Sequence, residues 1–354
     1  MQVNNKCYAR KTIRDVFLCE CRCRKRSSMN INEIAALAGV SRATVSRYLN
    51  NGYVSAEKRE QIRKVIEETG YQPSAQAQML RTKKTGFIGV IIPKINSDSI
   101  SRMVQGISSV LGNKGYQILL ADTHNDVKEE IRYLKQLRQN HVDGIIMIGT
   151  YFTKEHYKAM KDITVPMVVL AQCVKDYSCV YYDDYGAAKE LTKEALTTGK
   201  NPAFIGAIPE DEAVGRERLY GFLDANFELD REIREEYCTN GPFSIENGYE
   251  SAKKLFAMDD TIDTLICATD KIAIGAVRYL KEIGKKIPEE VQVTGFGDSL
   301  LASVCEPNIS TVHFYYQTSG EEAANMLVNM IDDNKSVRKE MKMGYQIVKT
   351  ESLR

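Results

Sequence analysis

No stretch of this 354-residue chain is apolar enough to cross a membrane. The longest apolar runs, such as Phe87 to Pro93, are strand-sized, against the roughly 18 residues a membrane helix needs. A secretory leader is missing as well, because Val16-Phe17-Leu18 is too short to be its apolar part. Histidine is scarce: the four present, His124, His141, His156 and His313, stand apart and offer no metal pair. A phosphate loop, a Gly-x-Ser-x-Gly elbow and a His-Glu-x-x-His motif are all absent. These absences argue against a membrane protein, a secreted protein and the common hydrolases, and no cofactor or metal is expected. What remains, 43% hydrophobic and 27% charged, reads as an ordinary soluble chain.

The length is too great for one ordinary core and predicts two or three domains. The net charge of +1 hides an asymmetry. Residues 1–84 carry 17 Lys/Arg against 7 Asp/Glu, and the remainder carries 31 against 40. A basic head on an acidic body suggests that the head meets a polyanion; chance clustering is the alternative. Nine cysteines, an odd number without a leader, fit a reducing cytoplasm. Cys19-Glu20-Cys21-Arg22-Cys23 does not have a standard zinc spacing.

Residues 1–28 show no helical or strand period and end in a basic run, Arg22 to Arg26. They are either a basic arm or an extension ahead of a true start at Met29. From Met29 the pattern sharpens. Ile31, Ile34, Ala35 and Ala38 fall at helical spacing. Gly39 stops that helix and Ser41 caps a second, Arg42 to Leu49. The second helix turns Val45 and Leu49 inward and leaves Arg42, Ala43, Ser46 and Arg47 outside. Two short helices around a tight Gly-containing turn predict a helix-turn-helix. Small Ala43 and Ser46 let such a helix enter the major groove, and Arg42 and Arg47 can each fork onto guanine. Thr44 and Ser46 can reach phosphates. A plain helical hairpin with solvated arginines is the bland alternative. A third helix follows, with Ser55 as its expected cap, and Tyr71-Gln72-Pro73 breaks it.

The matching residues are Ile34-Ala35, Ala38-Gly39-Val40-Ser41, Thr44-Val45-Ser46-Arg47, Leu49-Asn50, Val54-Ser55, Arg59, Gly70-Tyr71, Pro73 and Ala75. In this pattern residues 31–81 resemble the head of the lactose/galactose-repressor (LacI/GalR) family. Ser74 departs from it, since many relatives carry Asn there. The resemblance implies a transcription regulator with Ser41, Arg42, Ala43, Thr44, Ser46, Arg47, Asn50, Ser55 and Tyr71 at the DNA. It also implies that Ser74 to Arg81 is a hinge helix whose Leu80 wedges into the minor groove and kinks the duplex. An ordinary linker is the alternative.

From Thr85 strand-like and helix-like segments alternate, which predicts parallel sheets. Two such sets suggest two lobes, with a cleft where the C-terminal ends of the strands face each other. The expected fold class is therefore α/β: an all-α helix-turn-helix head, a hinge helix, and a two-lobed core of parallel sheets. The expected boundaries are 1–28 (extension), 29–73 (head), 74–84 (hinge and linker) and 85–354 (core). The N-lobe is expected at about 85–184 and 314–335, the C-lobe at about 185–313 and 336–354.

This body resembles the periplasmic-binding-protein-like core of the same family. The resemblance implies that Arg218 forks onto two sugar hydroxyls. Thr269 matches a polar ligand contact, and Asp270 is either a ligand contact or a helix cap. Many relatives place an acid where this chain has Gly297, so Asp298 is carried over as a displaced candidate. Gln172 and Asp98, at ends of N-lobe strands, complete the effector candidates. The segments around Gly297 and Tyr182 to Tyr185 resemble those of sucrose-type repressors. The expected function is sequence-specific operator binding controlled by a small sugar or sugar phosphate between the lobes. A purine or a carrier protein is the alternative effector, and a sugar-modifying enzyme the alternative of another class. The expected partners are double-stranded operator DNA and a second copy of the chain. A dimer is expected because little chain follows the last strand-like segment, Gly344 to Lys349.

Overall fold

The computed structural model describes residues 29–50, 52–71, 84–333 and 337–354. The chain divides into two units between Lys83 and Lys84. Residues 1–28 and the expected hinge helix with Leu80 lie outside the described residues.

The first unit is three helices. In α1 (Ile31–Leu37) the Asn30 side chain accepts from the N–H groups of Asn32 and Glu33, and Glu33 accepts from the Asn30 N–H. That reciprocal box satisfies donors that a helix start otherwise leaves open. Gly39 takes the left-handed φ of +62° that ends the turn. α2 (Arg42–Leu49) starts on the Ser41 hydroxyl, which accepts from the Thr44 N–H at 3.2 Å. Ser55 holds the N-cap position of α3 (Ala56–Thr69), but its hydroxyl makes no cap bond. Ile34, Val45 and Ile62, one from each helix, are fully buried at the centre. At roughly 1.5–3 kcal/mol for each such side chain, these three anchor a small core.

The second unit is two α/β lobes. In the first, β1 (Phe87–Ile92), β2 (Gln117–Asp122), β3 (Gly144–Ile148), β4 (Met167–Leu170) and β5 (Ser178–Tyr182) form a parallel sheet. Helices α4 (Asp98–Asn113), α5 (Val127–Gln139) and α6 (Lys154–Lys161) connect β1 to β4. The second lobe starts with α7 (Asp184–Ala195) and builds a parallel sheet from β6 (Pro202–Ile205), β7 (Cys238–Thr239), β8 (Thr264–Cys267) and β9 (Gln292–Thr294), in the order β7-β6-β8-β9. Its other helices are α8 (Arg218–Glu228), α9 (Ile245–Met258), α10 (Asp270–Glu282) and the short α11 (Leu300–Val304). A π-helical turn, Glu212–Glu217, runs into α8. β10 (Thr311–Phe314) leads into α12 (Tyr316–Asp332) in the first lobe, and the chain ends through β11 (Glu340–Met343) and β12 (Tyr345–Val348).

The expected assignment of residues 336–354 to the C-lobe needs correction. β11 lies parallel to β5, with Glu340 opposite Cys179 and Met343 opposite Tyr182, so the six-stranded sheet runs β11-β5-β4-β3-β1-β2. The rest of the expected assignment holds: β12 runs antiparallel to β10, and the residues after it stay on the second lobe, where Ser352 bonds to Val293 and Ser310 and Arg354 to Gln292. The short alternation Glu340-Met341-Lys342-Met343 is an edge strand with one face half-buried, a weak signal beside the apolar strands. The chain thus changes lobe three times, at Asp183, Tyr315 and Gly344.

Three helix pairs cross where a glycine removes the side chain. On α4, a Cβ at Gly106 would stand 2.0 Å from the Gln317 carbonyl of α12, and one at Gly320 would stand 2.1 Å from the Met103 carbonyl. Gly248 of α9 and Gly275 of α10 form a second reciprocal pair, at 1.9 Å and 2.0 Å. A Cβ at Gly221 of α8 would stand 2.4 Å from the Tyr185 carbonyl of α7. The body begins on a fixed footing: Asp143 accepts from the N–H groups of Thr85 and Gly86, and Lys84 pairs with Asp332 of α12 at 2.8 Å.

Candidate functional site

On the head, Arg42, Ala43 and Arg47 are exposed on α2, whereas Val45 is buried. Ser46 is half-buried and its hydroxyl accepts from the Asn50 amide at 3.4 Å. Thr44 is partly spent, because its hydroxyl lies 2.9 Å from that of Ser41. Ser55 is exposed, whereas Tyr71 packs half-buried against the head core. Tyr53, which the sequence did not single out, presents its phenol to solvent at 91% exposure. Leu80 lies outside the described residues.

In the body, the strand ends face each other across a cleft of about 1030 Å³, counting the part open to solvent. That is the scale of a small-molecule site. Arg218, at the start of α8, is the best-fixed group in its wall. Its Nε and Nη2 both meet Asp184 Oδ1, at 2.8 and 2.6 Å, and Nη1 donates to the Ala268 carbonyl at 2.5 Å. The guanidinium lies over the rings of Phe296, at 4.7 Å, and Phe314, at 5.1 Å. Two of its five N–H donors are left for a ligand. Burial pushes the Asp184 carboxyl above its ordinary value, and Arg218 opposes that shift.

Thr269 is the N-cap of α10, its hydroxyl accepting from the Ile272 N–H. Asp270 is therefore not the cap. It accepts from the Ser299 N–H at 2.7 Å and the Thr311 hydroxyl at 2.5 Å, and so ties the loop after β9 to α10. Gln172 and Asp98 also line the cleft, but Asp98 is paired with Arg102 at 2.7 Å. Asp298 stands between Gly297 and Ser299, which line the cleft, but its carboxylate is engaged elsewhere. Its φ of +48° turns the carboxylate to His313 Nδ1, 2.7 Å away. Gly297 before it has φ +132°, which an acid there would adopt only under strain.

Among the described residues, two sets of side-chain hydrogen bonds join the lobes across the cleft. Ala171 takes a left-handed φ of +75°, a strain of about 1–2 kcal/mol. Gln172 follows it and donates to the Thr150 carbonyl at 3.0 Å and to Asp211 of the other lobe at 2.9 Å. Arg102 of α4 donates to the carbonyls of Gly297, at 2.5 Å, and Asp298, at 3.3 Å. Sequence reasoning missed Arg102, Asp184 and Asp211. Asp211 sits in the loop after β6, where the strand-end rule would have found it.

Burial raises the Asp211 carboxyl to about 6, against hydrogen bonds from Val214 and Gln172 that lower it. A raised acid binds its proton more tightly when folded than when unfolded, so its contribution to stability is full below pH 4 and is lost as pH rises through 6. Asp211→Asn, which keeps an acceptor, is expected to flatten the stability profile between pH 4 and 7 by about 2–3 kcal/mol. Urea unfolding across that range reads this out, and parallel profiles for variant and wild type would refute it.

Among the described residues no cluster of His, Cys, Asp and Glu is placed to hold a metal, and no helix is long and apolar enough to cross a membrane.

A three-helix head with a capped second helix and a body of two α/β lobes around a cleft define a ligand-sensing DNA-binding regulator. Two family models match the chain: bacterial regulatory proteins of the lacI family over residues 30–74, and the periplasmic binding proteins and sugar binding domain of the LacI family over residues 85–350. The chain belongs to the LacI family of bacterial regulatory proteins; it is a regulator, not an enzyme. The sucrose operon repressor of Staphylococcus xylosus is 32% identical over 303 residues, covering 85% of this chain and 93% of that protein. A transcriptional regulator CelR–cellobiose complex matches with a TM-score of 0.71 at 26% identity, covering 92% of this chain and 99% of that one. The lac repressor dimer bound to operator matches with a TM-score of 0.82, also over 92% and 99%; at 20% identity this likeness speaks for the fold.

Proposed function

We propose that this protein is a cytoplasmic, homodimeric repressor of a carbohydrate-utilisation operon, released from or held on its operator by a sugar in the cleft. The observation that carries the sugar reading is Arg218, a buried guanidinium stacked on two rings with donors left over at the cleft. Planar forks beside aromatic faces suit the vicinal hydroxyls of a sugar. The sucrose and cellobiose regulators among its relatives support this reading.

On the DNA side, Arg42, Ala43 and Arg47 read bases, Ser41, Thr44, Ser46, Asn50 and Ser55 serve the backbone, and Leu80 wedges at the centre of a pseudo-palindromic site. Tyr71, half-buried in the head, supports that surface from behind. A ligand that touches Arg218, Gln172 and Thr269 changes the balance between lobe arrangements held by the Gln172–Asp211 and Arg102–Gly297 contacts. It shifts that balance only as far as it binds one arrangement better.

Arg47→Ala is expected to weaken operator binding by about 10- to 100-fold, as loss of one bidentate base contact does. Its thermal stability should be unchanged, because the side chain is exposed. Fluorescence anisotropy on an operator from the protein's own promoter region measures this, and undiminished affinity would remove α2 as the reading helix.

A further inference from the structure

Two lysines enter the cleft from opposite lobes without a carboxylate partner. Lys94 stands two residues beyond the end of β1, and Lys271 is the second residue of α10. Both line the cleft half-buried, and among the described residues neither has an acid within ion-pair distance. The cleft acids are engaged elsewhere: Asp98 with Arg102, Asp184 with Arg218, Asp211 with Gln172, and Asp270 with Ser299 and Thr311. Lys94 lies 5.5 Å over the ring of Phe243, a residue of the second lobe. Its pKa is lowered first by burial and then by the charge of Lys271. Bringing the lobes together therefore brings two like charges together in a partly dry space, which is unfavourable unless an anion lies between them.

The surrounding backbone has the same polarity. α4 and α10 both begin at the cleft, one from each lobe. Ser97, the N-cap of α4, makes no side-chain cap bond. Helix starts carry a partial positive charge and open N–H donors. The buried Nε of Arg102 has no acceptor either. A neutral sugar would meet the hydroxyl-binding fork of Arg218 but leave this cationic corner unanswered.

We propose that the effector is an anionic sugar, whose phosphate ester or carboxylate sits between Lys94 and Lys271 while its hydroxyls meet Arg218. This rests on the reading of the cleft as the effector site. The ligand then serves as the counter-charge that lets the lobes close.

The test uses the full-length protein and thermal shift, followed by calorimetry on whatever stabilises it. The compounds are neutral hexoses and disaccharides, their phosphate esters, the corresponding sugar acids, and inorganic phosphate. At least one anionic sugar is expected to bind tenfold or more tightly than its neutral parent. Phosphate esters and sugar acids in separate arms identify which anion it is. The preference should disappear in Lys94→Gln/Lys271→Gln and return in Lys94→Arg/Lys271→Arg, with far-UV circular dichroism confirming the fold of each. The inference is overturned if no anionic sugar stabilises the protein, or if the anionic preference survives the glutamine pair. Tight neutral-sugar binding that Gln172→Ala weakens would overturn it while leaving the cleft as the effector site. Binding untouched by Gln172→Ala and by the lysine variants would overturn both.

Discussion

Arg218→Met is expected to destabilise the protein by about 3–5 kcal/mol at pH 7 and to abolish its response to ligand. The cost does not come from the lost stacking alone, because methionine keeps much of the apolar contact with Phe296 and Phe314. It comes from Asp184, which is 3% exposed and would be left charged without its partner. Burial already pushes the Asp184 carboxyl up, and removing Arg218 takes away the charge that opposes this. The orphaned acid then takes up a proton as pH falls. The deficit should therefore be largest at neutral pH and shrink towards pH 5. Asp184→Leu in the same chain should recover most of the lost stability, since an apolar pair can replace a buried ion pair at little cost. It should not recover the response to ligand. Urea unfolding of the single and double variants at pH 5 and pH 7 measures each claim. A double variant no more stable than Arg218→Met would show that the ion pair is not what Arg218 contributes to the fold.

Gly106→Ala should cost about 3 kcal/mol or more, an unusually large effect for one added methyl group. The new Cβ would meet the Gln317 carbonyl at 2.0 Å, and that atom is backbone, so no side-chain rotation relieves the clash. α4 and α12 would have to part, and the reciprocal contact of Gly320 with the Met103 carbonyl would open with them. Gly112→Ala is the control. It lies on the same helix with nothing within 4 Å of the added atom, so its small gain in helix propensity should show as slight stabilisation. Thermal denaturation of the two variants side by side decides the matter, and equal melting temperatures would mean that the helices do not touch at that point.

The head was legible because its signals are local. Ser41 caps and Gly39 stops within one turn of the residues they serve, and the core of Ile34, Val45 and Ile62 closes over a span of 29 residues. Asn30 was missed although it is local, since its box with Glu33 precedes the apolar pattern that drew attention. In the body, Arg218, Thr269, Gln172 and Asp98 were found at strand ends or helix starts, and all four reach the cleft. Asp184 and Arg102 could not be read, because what they do depends on partners far along the chain: 34 residues to Arg218, and 195 to Gly297. The partner of Asp298 was equally out of reach of the sequence: after Gly297 the backbone takes a left-handed turn, and the carboxylate meets His313, 15 residues on.

The three crossings at Asp183, Tyr315 and Gly344 have a mechanical consequence. Two bodies joined by one strand of chain can twist, slide and separate. Joined by three neighbouring strands, they keep essentially one degree of freedom, a rotation about the line through the joints. Asp183 and Met343 are hydrogen-bonded at that line, and the rings of Tyr182, Phe314 and Tyr316 pack tilted or edge-on beside it. Whatever occupies the cleft is thus converted into a single angle. The chemistry of the ligand is read by the walls, but the rest of the molecule receives only one number.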